Sequence, residues 1–283
     1  MLLGLHHVTA FAGDAQRNFD FYTRTVGLRL IKRTVNFDDP ATYHLYFSDE
    51  LGAPGSLVTF FPWPTAPAGR SGSGQIAAVS LAVPHSMLES KIALSEAPPR
   101  FGERWIALCD PAGMTLEMTG GDSQTIRLHS VTLREADAER TAAFLANVLE
   151  FSFVASEGER SRFRLNDAIV DIVAAPELPP AKLSAGMVHH VALRVADEAT
   201  QLEWRKKLVD AGVRVTRVID RRYFRSIYFR EPGGVLFEIA TDGPGFFIDE
   251  AEPGSALQLP PWLEPSRESI ERRLPKVNFA DRR

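Results

Sequence analysis

Four of the seven histidines stand in two adjacent pairs, His6-His7 and His189-His190, each followed by valine. A neutral imidazole is the commonest protein ligand for a metal and the readiest acid–base group near neutral pH. Two matching pairs far apart in the chain therefore point first to metal or proton chemistry. Carboxylates that could join them lie in short apolar runs: Glu117 in TLEMT, Asp171 in IVDIV and Glu238 in LFEIA. Side chains alternate faces along a strand, so one imidazole of each pair is expected on a concave face and the other turned away. The single Cys109 cannot form an intramolecular disulfide. The Gly-rich stretch 69–74 lacks the strand–helix setting and the lysine of a phosphate loop.

The histidine pairs belong to a repeated element. Residues 5–10 (LHHVTA), 76–83 (IAAVSLAV), 128–133 (LHSVTL) and 188–195 (VHHVALRV) all read as half-buried strands. A helix-compatible stretch follows each, with Phe19, Tyr22 and Val26 after the first and Leu202, Leu208 and Val209 after the fourth. Two or three strand-like runs separated by turn residues come next: 28–37, 42–48 and 56–61 in the first unit, and 213–219, 225–230 and 235–240 in the fourth. Each unit reads β-α-β-β-β. His7 aligns with Ser130 and Glu117 with Glu238 at nearly the same offset, the mark of a duplication. The expected class is α+β, with four βαβββ modules, one pair in 1–120 and one in 121–242. An extension, 243–283, carries LPPWLEP and a helix-compatible 266–274, and is expected to lie over the domain as a strap.

Composition narrows the partners. The chain has 283 residues, 45% hydrophobic and 24% charged, with a net charge of −4, which excludes a disordered or fibrous chain and offers no basic patch for nucleic acid. No apolar run approaches the length of a membrane helix, and the N-terminus lacks a signal-peptide pattern. The expectation is a soluble, cytoplasmic protein that binds neither nucleic acid nor membrane and could assemble as a homo-oligomer.

HHV at strand starts and PGGxxFE at a late strand, set in four such units, resemble the vicinal oxygen chelate superfamily, which includes glyoxalase I, bleomycin-resistance proteins and extradiol dioxygenases. The resemblance covers roughly residues 4 to 242. LIKRTVNFDD, YHLYFSDELGAPGS and the closing LPPWLEPSRESIERRLP are similar to the hydroquinone-type ring-cleaving dioxygenases.

The resemblance implies that modules join in pairs as two barrel-like cups, and that the second histidine of each pair faces the metal. The first-strand positions are then His7, Ala78, Ser130 and His190, and the last-strand positions about Thr59, Glu117, Asp171 and Glu238. Only pairing module one with module four yields two imidazoles and a carboxylate: His7, His190 and Glu238. Such a set leaves open positions for a chelating dihydroxy-aromatic and O2 on Fe2+, with Mn2+ as an acceptable substitute. A glyoxalase-type lyase would be expected to take a fourth ligand near Thr59, where SLVTFF offers none. The cup holding Glu117 and Asp171 lacks imidazole and reads as structural.

His6, His189, Thr9, Tyr228 and Arg221 are the candidate catalytic residues. Arg222 fits the same turn as Arg221; His44 alternates with Tyr43 and Leu45, which allows a place facing the cup, though a structural use is favoured; His85 and His129 have no supporting partner and read as structural. The implied activity is ring cleavage of a hydroquinone or catechol with O2. A metal-dependent lyase or isomerase acting on a thiol adduct, and a metal-free module that sequesters aromatics, are the rival readings.

Overall fold

The computed structural model describes residues 1–49 and 52–280. Module one comprises β1 (Gly4–Ala12), α1 (Ala15–Asp20) running into a π-helical turn, β2 (Arg29–Asn36), β3 (Asp39–Ser48) and β4 (Leu57–Pro62). Module two has β5 (Gln75–Pro84), α2 (His85–Ser95), β6 (Glu96–Arg100), β7 (Glu103–Cys109) and β8 (Thr115–Gly121). Module three has β9 (Arg127–Glu135), α3 (Ala138–Asn147), β10 (Ser152–Glu157), β11 (Arg160–Leu165) and β12 (Ala168–Ala174). Module four has β13 (Val188–Val195), α4 (Glu198–Asp210), β14 (Ile219–Asp220), β15 (Phe224–Arg230) and β16 (Leu236–Pro244). In three modules an aspartate just past the first strand caps the helix: Asp14, Asp137 and Asp197 accept from the backbone N–H of Arg17, Arg140 and Thr200.

The modules form two curled eight-stranded sheets. One runs β14-β15-β16-β13-β1-β4-β3-β2 and the other β10-β11-β12-β9-β5-β8-β7-β6. The first therefore joins modules one and four, the second joins two and three, and each half of the chain gives one module to each sheet. In both, an antiparallel central pair (β1·β13, β5·β9) is flanked by parallel neighbours (β1·β4 and β13·β16, β5·β8 and β9·β12). The period-2 pattern explains the layering. Val8, Val58, Val79, Val131, Val191 and Phe237 face one shared core, while Ile31, Tyr46, Leu57, Ala192 and Phe224 line the cup of the first sheet.

Two local expectations change. The run 213–219 gives only an isolated bridge, Val215 to Phe229, and the first residue of the short β14, because the Thr216 hydroxyl accepts from the N–H of Tyr228 where a ladder carbonyl would stand. The buried face of α4 is Gln201, Trp204 and Leu208, leaving Leu202 and Val209 exposed; Gln201 turns inward to donate to the carbonyls of Arg225 and Ile239.

The C-terminal strap lies on β2 and β3. Leu259, Ile270 and Leu274 pack on Val35, and the buried Lys32 ammonium meets Asp249 at 2.7 Å and Glu250 at 2.5 Å. Its helix, α5, spans Arg267–Arg273. No helix among the described residues is long and apolar enough to cross a membrane.

Candidate metal centre

Both histidine pairs sit on β-bulges of the central strand pair. Leu5 opposes Leu193 and His7 opposes Ala192, so His6 is the extra residue on β1; Thr9 opposes His190 and Ala10 opposes Val188, so His189 is the extra residue on β13. Strict alternation would send His6 and His189 to the opposite face, and this expectation fails at the bulges. Instead Nδ1 of His6 lies 2.8 Å from Nδ1 of His7, and Nδ1 of His189 lies 2.8 Å from Nδ1 of His190. The second sheet has register shifts at the matching places, Ala77 and His129, so the bulges belong to the fold.

Three ligand atoms converge in the first cup. Nε2 of His7 is 3.1 Å from Nε2 of His190, and Oε2 of Glu238 is 3.4 Å from the former and 3.0 Å from the latter. Cross-strand register assembles them, since Tyr228 opposes Glu238, Glu238 opposes Ala192 and Ala192 opposes His7. Small Ala192 leaves room between the two ligand strands. All three groups are buried. Among the described residues this is the one cluster of three or more ligand-type side chains close enough to share an ion.

The surroundings suit a cation. His6 stands behind His7, edge-on to its ring and with Nδ1 to Nδ1 at 2.8 Å, where it orients the ring. His7 thereby presents its Nε2 to the cup, toward Glu238. Glu238 Oε1 accepts from the hydroxyl of Ser226, while Oε2 has no hydrogen bond of its own. Burial alone would raise the Glu238 carboxyl, yet the imidazoles of His7 and His190 hold it well below the usual carboxylate range. Bonds of roughly 2.1 Å to one ion would separate neighbouring ligand atoms by about 3.0 Å on an octahedron. The observed 3.0, 3.1 and 3.4 Å fit that spacing.

A cavity of about 340 Å³ opens above these atoms, walled by Phe11, Phe37, Phe61, Phe224 and Leu236, with His44, His189, Arg221 and Tyr228 as polar groups. Oη of Tyr228 accepts from Nε of Arg221 at 3.1 Å, and Nη1 of Arg221 donates to Asp38 at 3.0 Å. Arg222 turns instead toward Asp249, at 3.6 Å, which separates the two arginines. Burial and the nearby Glu238 raise the Tyr228 phenol despite the opposing Arg221 charge. Burial and the adjacent His190 push the His189 imidazole down to about 3. His6 is buried beneath this layer and also falls to about 3, from burial and then His7.

Thr9 is buried and shares a 2.8 Å hydrogen bond with Thr59. Thr59 in turn lies 2.9 Å from Nε2 of His44. The structural reading of His44 thus gives way to a place in the cavity wall. The available signal was its two-residue spacing from Tyr46, which puts both on the cup face of β3. Asn36 and Asp38 reach the cavity from the β2–β3 turn, inside the NFDD stretch.

The second cup has a different occupant. Arg100 pairs with Glu117, Arg162 forms a two-point pair with Asp171 at 2.8 and 3.0 Å, and Arg160 adds a third contact at 3.3 Å. Guanidinium groups therefore stand against the carboxylates where the first cup has imidazoles.

The family model of the Glyoxalase/Bleomycin resistance protein/Dioxygenase superfamily matches residues 4–88 and 127–239. The "putative ring-cleaving dioxygenase MhqO" of Bacillus subtilis (strain 168) is 40% identical over 298 residues, spanning 96% of this chain and 96% of the relative. The "chlorohydroquinone/hydroquinone 1,2-dioxygenase" of Sphingobium indicum is 32% identical over 307 residues, spanning 95% of each. A crystal structure of a "putative dioxygenase" from Bacillus subtilis superposes with a TM-score of 0.92 at 39% identity, covering 99% of both chains. On this coverage and identity, and on the two paired-module sheets, the chain belongs to the glyoxalase/bleomycin resistance protein/dioxygenase superfamily.

Proposed function

We propose that this protein is a ring-cleaving dioxygenase acting on a hydroquinone- or catechol-type aromatic, with Fe2+ held by His7, His190 and Glu238. Mn2+ suits the same ligand set. The observation that carries the reading is the three-point convergence of two imidazole Nε2 atoms and a carboxylate oxygen beneath an aromatic-walled cavity. The place of a fourth ligand holds Thr59, whose hydroxyl is already engaged by Thr9 and His44, and this weighs against the lyase. The names of the relatives support the substrate class.

When bound, the ion supplies adjacent open positions at which a dihydroxy ring and O2 meet. The chain's own residues do the remaining work. The phenylalanines Phe11, Phe61 and Phe224 exclude water and flank a flat ring. Tyr228 keeps its proton at neutral pH and donates it to a substrate oxygen, and the fixed charge of Arg221 beside it offsets negative charge developing there. His189 is neutral and spends Nδ1 on His190, so its Nε2–H is a second donor to the cavity.

The test is anaerobic loading with Fe2+ followed by O2 uptake across hydroquinones and catechols. Stoichiometric O2 consumption with ring opening is expected. Turnover of thiol adducts without O2 uptake would instead favour the lyase.

A further inference from the structure

One row of residues crosses four strands of the first sheet in register: Tyr46 opposes Thr59, Thr59 opposes Thr9, and Thr9 opposes His190. His44 closes a continuous hydrogen-bond chain along it. Oη of Tyr46 lies 2.8 Å from Nδ1 of His44, Nε2 of His44 lies 2.9 Å from Oγ1 of Thr59, and that oxygen lies 2.8 Å from Oγ1 of Thr9.

The chain has one direction. Tyr46 is buried among Ile31, Leu57, Tyr223 and Phe246, where its hydroxyl has a single acceptor among the described residues, Nδ1 of His44. A neutral imidazole has one N–H, which therefore sits on Nε2 and donates to Thr59. Burial holds His44 well below its usual range and raises Tyr46 well above its own, which keeps both in the required states. Thr59 accepts from His44 and passes its own proton to Oγ1 of Thr9. The hydroxyl proton of Thr9 is then left over, beside His190 and two residues on from His7.

We propose that His44 and Tyr46 are positioning residues which, through Thr59, hold the Thr9 hydroxyl as a donor to a reactant oxygen on the side of the centre where a lyase would place a fourth ligand. The catalytic consequence rests on the dioxygenase reading above. The direction of the chain does not.

The experiment combines imidazole spectroscopy with a double-mutant cycle. In 15N-histidine-labelled wild type, as isolated, His44 is expected as the Nε2–H tautomer. Tyr46→Phe removes the donor to Nδ1 and should give a mixture of tautomers. After Fe2+ loading, Tyr46→Phe and Thr59→Val should each lower kcat with hydroquinone by about 5- to 20-fold, the effect of one hydrogen bond to a developing charge, with KM within about twofold. In a Thr9→Val background neither change should lower kcat further, because both act through Thr9.

An Nδ1–H tautomer in wild type overturns the proposal, as do losses that multiply with that of Thr9→Val. If Tyr46→Phe fails to fold, Thr59→Val, nearly isosteric, carries the cycle. A wild type that takes up no O2 with any dihydroxybenzene defeats the dioxygenase reading, and the tautomer then decides the direction of the chain by itself.

Discussion

His7 and His190 are separated by 183 positions in the chain, and their Nε2 atoms stand 3.1 Å apart in the first cup. Each ring has its Nδ1 engaged by the neighbouring histidine, so both Nε2 atoms face Oε2 of Glu238, and one cation can be shared by all three.

Glu238→Gln keeps the volume and removes the charge. Metal affinity should fall at least 10-fold, since loss of a ligand should cost no less than the 10–100-fold typical of changes behind one. Glu117→Gln, at the matching position of the other cup, should leave metal content and turnover nearly unchanged. It should lower the melting temperature by the equivalent of roughly 1–3 kcal/mol, because Arg100 loses its carboxylate. Metal analysis and calorimetry on both variants check this, and metal loss confined to Glu117→Gln would mean the wrong cup was chosen.

His6 does not line the cavity, yet its Nδ1 engages Nδ1 of His7 and so orients that ring. His6→Ala should weaken metal binding by about 10–100-fold. His6→Asn should restore part of it, because the carboxamide can hydrogen-bond where Nδ1 did. Competition against a chelator of known affinity distinguishes the three proteins, and equal affinity in all of them would sink the orienting role of His6.

The two neighbouring arginines separate by function. Tyr228→Phe and Arg221→Ala should each cut turnover by about 10–100-fold at unchanged metal content. Arg222→Ala, whose partner is Asp249 in the strap, should leave turnover within about twofold and cost at most about 1 kcal/mol. Steady-state kinetics on Fe2+-loaded variants give the answer.

Glu135 and Glu231 face each other across Gly233: a methyl group added there would lie 1.9 Å from Oε2 of Glu135 and 2.9 Å from Oε1 of Glu231. Glu231 accepts from Thr141, Gly233 and Val235, whereas neither oxygen of Glu135 has a donor. Burial, and then the Glu231 charge, push the Glu135 carboxyl from 4.5 up to about 8. The folded chain thus holds a proton that the unfolded chain releases near 4.5. The stabilisation is complete below that pH, and it is lost as pH rises through 8. At roughly 1.4 kcal/mol per tenfold change in proton affinity, this amounts to a few kcal/mol. Glu135→Gln should flatten the decline and be the more stable protein at pH 8. Denaturant melts from pH 5 to 9 test it, and parallel pH profiles would contradict the assignment.

Much of this architecture is written in the repeat. Four strand starts with matching residues and the PGG turn before Glu238 make the modules legible, and counting ligands by module pairing points to His7, His190 and Glu238. What stayed hidden depends on register. A bulge adds one residue without altering the apolar pattern, so the turn of His189 into the cavity and the packing of His6 behind His7 leave no trace in composition. The alternation around His44 allowed a place facing the cup but did not decide it, because its partner Thr59 lies on another strand and carries no charge. The arginines of the second cup come from β6 and β11, whose sequences EAPPR and RSRFRL resemble surface strands until their side chains meet buried acids.

Joining the first module to the last also has a consequence for biosynthesis. Residues 75–174 are contiguous and suffice for the whole second sheet, so that half can close while the chain is still being made. β1 has no central partner until β13 has emerged, and its pairing spans most of the chain, the kind of distant contact that slows folding. A product ending before Glu238 lacks the carboxylate, and one ending before His189 keeps a single imidazole of the three-point set. Completion of the centre therefore reports that translation has passed Glu238.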